Sequence, residues 1–320
     1  MDSEQEKGKV ALLLTYHAAN DLKNSEALDR IARSGRVYFE LLVPANYHAK
    51  MLQELQNANK GVLPPQEKLE LADLHLRTIL DLLKDAGQQG HQIEVYIEPA
   101  PSDKLNEDLE NGCELFQLAT RHIVSDLEKA IEIESRAADK RVECNVIRDM
   151  KMTDHIAQIY NQAPDKDLVV ICGVAHKGLA ERLNEKNILT EIIAEPAILS
   201  PLVEYLQKGG RRLNVTPEEK RKFMLKALFS EYLQVCTVTC AGESQAHLVN
   251  EAIDKVFKDV TEEDCYECSK YLRIRALRFA KLADRPPSLE ELFQYLVNWF
   301  KDNTRLDLSR LKLPPDFPKV

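Results

Sequence analysis

The chain has 320 residues, 44% hydrophobic and 30% charged, a composition that supports packed cores and excludes extensive disorder. Lysine and arginine number 43 against 52 acidic residues, a net charge of −9, so duplex nucleic acid and anionic membrane surfaces would meet net repulsion. The length exceeds that of one compact domain, which leads us to expect a main domain with a smaller one appended.

Residues 1–9 are acidic and polar, without the positive charge and apolar stretch of a secretory leader. No segment approaches the ~20 apolar residues needed to span a bilayer. Seven scattered cysteines fit reduced thiols better than a disulfide framework, so the expected compartment is cytoplasmic.

Short apolar runs at 10–15, 37–42, 93–98, 142–147, 168–172 and 189–194 read as strands, most of them apolar enough to be buried on both faces. Helical patterns separate them: 66–86, set off by Pro64 and Pro65, and 106–138, as one helix or two. This alternation predicts an α/β fold, a mainly parallel sheet flanked by helices, over residues 1–208. Gly209-Gly210-Arg211-Arg212 reads as a polar linker, after which strand-like runs largely cease. An all-helical appendage over 209–302 follows, with capping boxes at Thr216–Glu219 and Ser288–Glu291. Residues 303–320, containing Pro314, Pro315 and Pro318, read as an extended tail.

His17 and His176 each lie just beyond an apolar strand, and Glu40 falls at the end of another. In a parallel sheet the carboxyl ends of the strands share one edge, where ligands usually bind. Arg148 follows the run at 142–147 and is placed at the turn that opens the next helix, as a clamp for a substrate or as an ion-pair partner for Glu40. Each residue also has a structural reading: the histidines as capping or packing groups, and Glu40 as the partner of an arginine. His17, Glu40, Arg148 and His176 are the candidate catalytic residues; Tyr16, Gly173 and Glu98 border them as candidate substrate contacts.

Other clusters read more simply. Cys236, Cys240, His247, Cys265 and Cys268 offer possible zinc ligands, but their helical spacing points first to one buried face. His122 and His155 lie on helical stretches as packing or surface groups, and Arg273, Arg275, Arg278 and Lys281 read as a solvated helix face.

The run from His17 through Arg36-Val37-Tyr38-Phe39-Glu40-Leu41 resembles the opening of TraB-family domains. Arg148-Asp149 with Met152 resembles an R-D-x-x-M helix start, and Gly173-Val174-Ala175-His176 a second G-x-x-H motif, both of the TraB/TIKI/ChaN/erythromycin-esterase superfamily. The matches keep family order over roughly residues 10–195. Leu14 stands where the first motif has glycine, and Thr15 follows the TraB and TIKI pattern rather than the esterase one. The resemblance implies hydrolysis of peptide or ester bonds, with a divalent metal in TIKI-type proteases. The residues themselves suit two mechanisms: a neutral histidine takes a proton from water with Glu40 orienting it or acting as base and Arg148 stabilising an oxyanion, or His17, Glu40 and His176 hold a divalent metal (manganese, cobalt or zinc) with water in the open position. The resemblance also implies an alternative, a catalytically silent binding or adaptor protein that uses its carboxyl-terminal helices for a protein partner. Leu14 favours that alternative, whereas the four retained polar residues favour the hydrolase.

Overall fold

A computed structural model describes residues 8–15, 25–41, 43–64, 74–196, 198–211, 213–241 and 245–310. Its contacts divide the chain into two compact units. One comprises Met1–Asn106, Cys144–Ala197 and Gly210–Arg212; the other comprises Glu107–Glu143, Ile198–Gly209 and Leu213–Val320.

The first unit is built on five parallel strands: β1 (Val10–Thr15), β2 (Arg36–Phe39), β3 (Glu94–Ile97), β4 (Leu168–Gly173) and β5 (Thr190–Ala194). Their order is β3-β2-β4-β1-β5. Central β1 and β4 are buried at every position, which is why they read as unbroken apolar runs, whereas β5 at one edge is only partly buried. Strand alternation divides the sheet residues between two faces. Ala11, Leu13, Val37, Phe39, Val95, Ile97, Val169 and Ile171 join one core with Ile31 of α1 (Ser25–Ser34), Leu55 of α2 (Ala45–Asn59) and Leu83 of α3 (Leu74–Gln88). The opposite face, which includes Arg36 and Tyr38, receives the later half of a long helix, α5 (Leu127–Gln162). There Arg36 donates to the carbonyls of Ala163, at 2.9 Å, and Ile159, while the Tyr38 ring meets His155 edge-on at 5.8 Å. No described helix is long and apolar enough to cross a membrane.

Residues 142–147, expected as a strand, are helical and lie inside α5, and Arg148, expected at a turn, is likewise within that helix. Buried positions here recur with helical period at Cys144, Asn145, Arg148, Asp149, Met152, Thr153 and Ile156. Several of them are polar, so an apolar-only search misses the stripe, while the β-branched Val142, Val146 and Ile147 imitate a strand. The pattern at 106–138 becomes two helices, α4 (Asp103–His122) and the beginning of α5. That at 66–86 is described as α3 from Leu74 onward, residues 65–73 lying outside the described residues.

Gly209 and Gly210 are not a linker but the last turn of α7 (Pro201–Gly210), which follows β5 and the short α6 (Gly178–Glu185). A methyl group on Gly209 would fall 2.6 Å from Val142 Cγ1, and one on Gly178 would fall 2.9 Å from the Gly210 carbonyl oxygen. Glycine serves close backbone approach here rather than flexibility. The contact-defined units consequently differ from a single cut after residue 208.

The second unit contains α8 (Pro217–Ala241), α9 (Ala246–Asp259), α10 (Glu262–Ala283) and α11 (Leu289–Asn303). Its core gathers Phe229, Phe257 and Phe300, with 5.1 Å between the ring centres of the last two. The capping boxes read from sequence form: Glu219 N donates to Thr216 Oγ1 at 3.2 Å while Thr216 N donates to the Glu219 carboxylate at 2.9 Å, and Ser288 with Glu291 repeats the arrangement. Thr261 and Asp264 add a third, with aspartate in the place usually held by glutamate or glutamine. Cys265 and Cys268 lie on the buried face of α10. Leu42, at the end of the expected run 37–42, and residues 311–320 of the expected tail lie outside the described residues.

Candidate functional site

Glu40 and Glu98 immediately follow β2 and β3 and sit side by side, since Glu98 N donates to the Phe39 carbonyl at 3.0 Å and Glu40 N to that of Ile171 at 2.9 Å. By strand parity Glu40 continues the face of Arg36 and Tyr38, and Glu98 that of Glu94 and Tyr96. Two neighbouring carboxylates therefore turn toward α5, where one buried turn presents Arg148 and Asp149.

Arg148 holds both carboxylates. Its Nε and Nη2 donate to Glu98 Oε1 and Oε2 at 2.8 and 2.7 Å, a bidentate pair, and Nη2 also donates to Glu40 Oε1. The second oxygen of Glu40 accepts the Gly173 backbone N–H at 2.5 Å. The short 3-10 turn Val174–His176 then carries His176 back over the cluster. Its Nδ1 lies 2.5 Å from Asp149 Oδ1 and its Nε2 3.1 Å from Glu40 Oε1. Asp149 Oδ2 faces Arg182 Nε at 3.9 Å, and neither of these two atoms has a hydrogen-bond partner among the described residues.

Three buried carboxylates thus meet two guanidinium groups, and a protonated His176 would neutralise the set. Burial alone opposes a charge on this imidazole, but Glu40 and Asp149 overcome it and raise its pKa to about 10. Arg148 is held positive by the same logic, Glu40 and Glu98 outweighing its burial. Burial, with Glu40 and Asp149 adding to it, pushes the Cys172 thiol well up, so this neighbour is no thiolate nucleophile at neutral pH. The Tyr38 hydroxyl is likewise raised, by burial first and then by Glu98 and Glu40.

Of the residues singled out in the sequence, Glu40, Glu98, Arg148, Gly173 and His176 come together here. His17 and Tyr16 lie outside the described residues; the register places Thr15, just before them, opposite Gly173. A neutral His176 acting as base does not fit this geometry, because both ring nitrogens are aimed at carboxylates that favour the imidazolium. Arg148 has all its observed bonds on Glu40 and Glu98, which suits positioning those groups rather than receiving a substrate oxyanion. The sequence offers Asp149 only as part of the R-D-x-x-M resemblance, without a role in the site, and does not single out Arg182. The adjacency of Asp149 to Arg148 and its place four residues before Thr153, whose hydroxyl donates to its carbonyl at 2.6 Å, were the available signals.

The divalent metal implied by the resemblance does not fit Glu40 and His176 as they stand. A guanidinium occupies the Glu40 oxygen that a cation would need, and the imidazole has no nitrogen turned away from a carboxylate. Among the described residues no group of three or more histidine, cysteine, aspartate or glutamate side chains is arranged to hold a metal ion. A cavity of about 1180 Å³ lies instead at the amino ends of the strands, lined by Arg36, Asn59, Glu94 and Asp167 among others.

No family model matches the chain, nor does any curated protein or solved structure.

Proposed function

We propose that the chain is a hydrolase of amide or ester bonds working at the carboxyl edge of its parallel sheet. The observation that supports this best is the relay Asp149–His176–Glu40, an imidazole oriented by one carboxylate and within reach of another, so that a proton can pass between His176 and Glu40. In this reading Glu40 takes a proton from the attacking water while His176, its Nε2 turned from Glu40 to the bound substrate, gives one to the departing amine or alkoxide. Transfer across their 3.1 Å contact then restores both groups. Arg148 and Glu98 position Glu40, and Asp149 orients His176. Tyr16 and His17 enter through their sequence position just past the apolar run 10–15 and, for His17, through the resemblance, and the substrate is a peptide or a small ester. The acidic net charge argues against a nucleic-acid partner, and seven scattered cysteines, spaced unlike a disulfide framework, favour a cytoplasmic setting.

A panel of chromogenic esters and fluorogenic peptides tests this reading. At least one should be turned over, and His176→Asn should reduce its turnover by ~100-fold or more, the scale of a lost acid–base group. If no substrate is turned over by folded protein, with or without added manganese, cobalt or zinc, the hydrolase reading is abandoned.

One observation favours a second reading, a non-catalytic binding protein. His176, Glu98 and Glu40 are only 2%, 3% and 5% exposed, as befits a charge-compensated cluster that fixes a fold. In that case the helices beyond residue 209 serve a protein partner, and the substrate panel stays silent.

A further inference from the structure

We propose that the outward face of α10 is a docking surface for an acidic segment of a partner protein that carries apolar residues at helical spacing. Between Glu267 and Asp284 the sequence has Lys270, Arg273, Arg275, Arg278 and Lys281 and no acidic residue, in a chain whose net charge is −9. The inward face of this helix is fixed by buried Cys265, Cys268, Leu272 and Ala276. At ~100° per residue the opposite face gathers Glu267, Lys270, Ile274, Leu277, Arg278 and Lys281, with Arg273 on its flank. Ile274 is 44% and Leu277 58% exposed, two aliphatic side chains left in water and ringed by four cations. Lys270 pairs with Glu267 at 3.6 Å, whereas Arg273, Arg278 and Lys281 have no acidic partner among the described residues.

The charges select the occupant. Like charges on one helix face repel one another, and an acidic surface laid against them removes that repulsion while guiding association. The aliphatic pair at the centre requires the partner to bring apolar groups as well, in the pattern of apolar centre and polar rim found at protein interfaces. A lipid surface fits less well, because an interfacial helix needs a broad apolar face and α10 spends its own on the core of its unit. A phosphate backbone offers nothing to Ile274 and Leu277. The inference gives the binding-protein reading a surface and a partner chemistry, and it holds whether or not the strand-end cluster is catalytic.

The probe is a fluorescein-labelled helical peptide with glutamates flanking leucines at i, i+3 and i+7, titrated with the full chain and followed by anisotropy. Binding should weaken by ~10-fold or more in R273E/R278E, in L277S, and when the peptide leucines become serines, and it should fall as salt rises. Circular dichroism should show the variants folded, since all three positions are exposed. The proposal is overturned if the peptide does not bind, or if R273E/R278E binds it equally well. It is also overturned if phosphatidylserine vesicles capture the protein while the peptide does not, or if the face instead mediates self-association. Any turnover at the strand-end cluster should be unchanged in R273E/R278E, so failure here and failure of the hydrolase reading are read separately.

Discussion

Arg148, deep inside a helix, closes a two-pronged ion pair on Glu98, the residue that follows β3, with 2.8 and 2.7 Å between the paired atoms. The same guanidinium reaches Glu40 beyond the neighbouring strand, so a single cation holds together two carboxylates that would otherwise repel each other across adjacent strand ends.

Removing that cation should be costly. Arg148→Met is expected to destabilise the fold by about 3–5 kcal/mol, because two buried carboxylates lose their counter-charge. Combining it with Glu98→Gln should recover part of the loss. Urea denaturation of the single and double variants measures this, and additive small effects would show that the pair carries no coupling.

The His176 imidazole should make stability fall with rising pH. Its folded pKa, about 10, lies above its ordinary value of 6.5, so the folded state binds the proton more tightly. The resulting stability is complete below pH 6.5 and is lost as pH rises through about 10. The slope approaches ~1.4 kcal/mol per pH unit between the two values. Denaturation midpoints across this range should decline in the wild type and flatten in His176→Asn.

A second titration belongs to the helical unit. Glu134 is fully buried, its two oxygens lack hydrogen-bond partners among the described residues, and Arg141 approaches only to 3.5 Å. Burial first, then repulsion from Glu231, raises its pKa to about 8. The folded state thus holds the neutral acid, and stability falls as pH rises from 4.5 to about 8. Glu134→Gln, which keeps the shape without the charge, should match wild type in acid and exceed it above pH 8. Equal stability at both pH values would place an unpaired charge at Glu134 in neither state.

Much of this protein follows from local sequence alone. Apolar runs too short for helices and too apolar for exposed strands dictated buried parallel strands at 10–15 and 168–172, and Thr216 and Ser288 fixed helix starts through hydrogen bonds within four residues. Strand ends also pointed to Glu40 and His176, because parallel strands finish on one edge. Other features depended on partners distant in the chain. Residues 142–147 have strand-like side chains, yet they are helical and continue into a stripe whose Arg148 and Asp149 find their counter-charges on Glu40, Glu98, Arg182 and His176, at sequence separations from 27 to 108. The protonation of His176 was equally invisible: a histidine beyond a strand is neutral or charged according to what closes around it, and here two buried carboxylates decide. Hydrophobic periodicity reports burial of apolar groups, whereas buried charges are placed by Coulomb pairing between segments, which only the folded chain brings together.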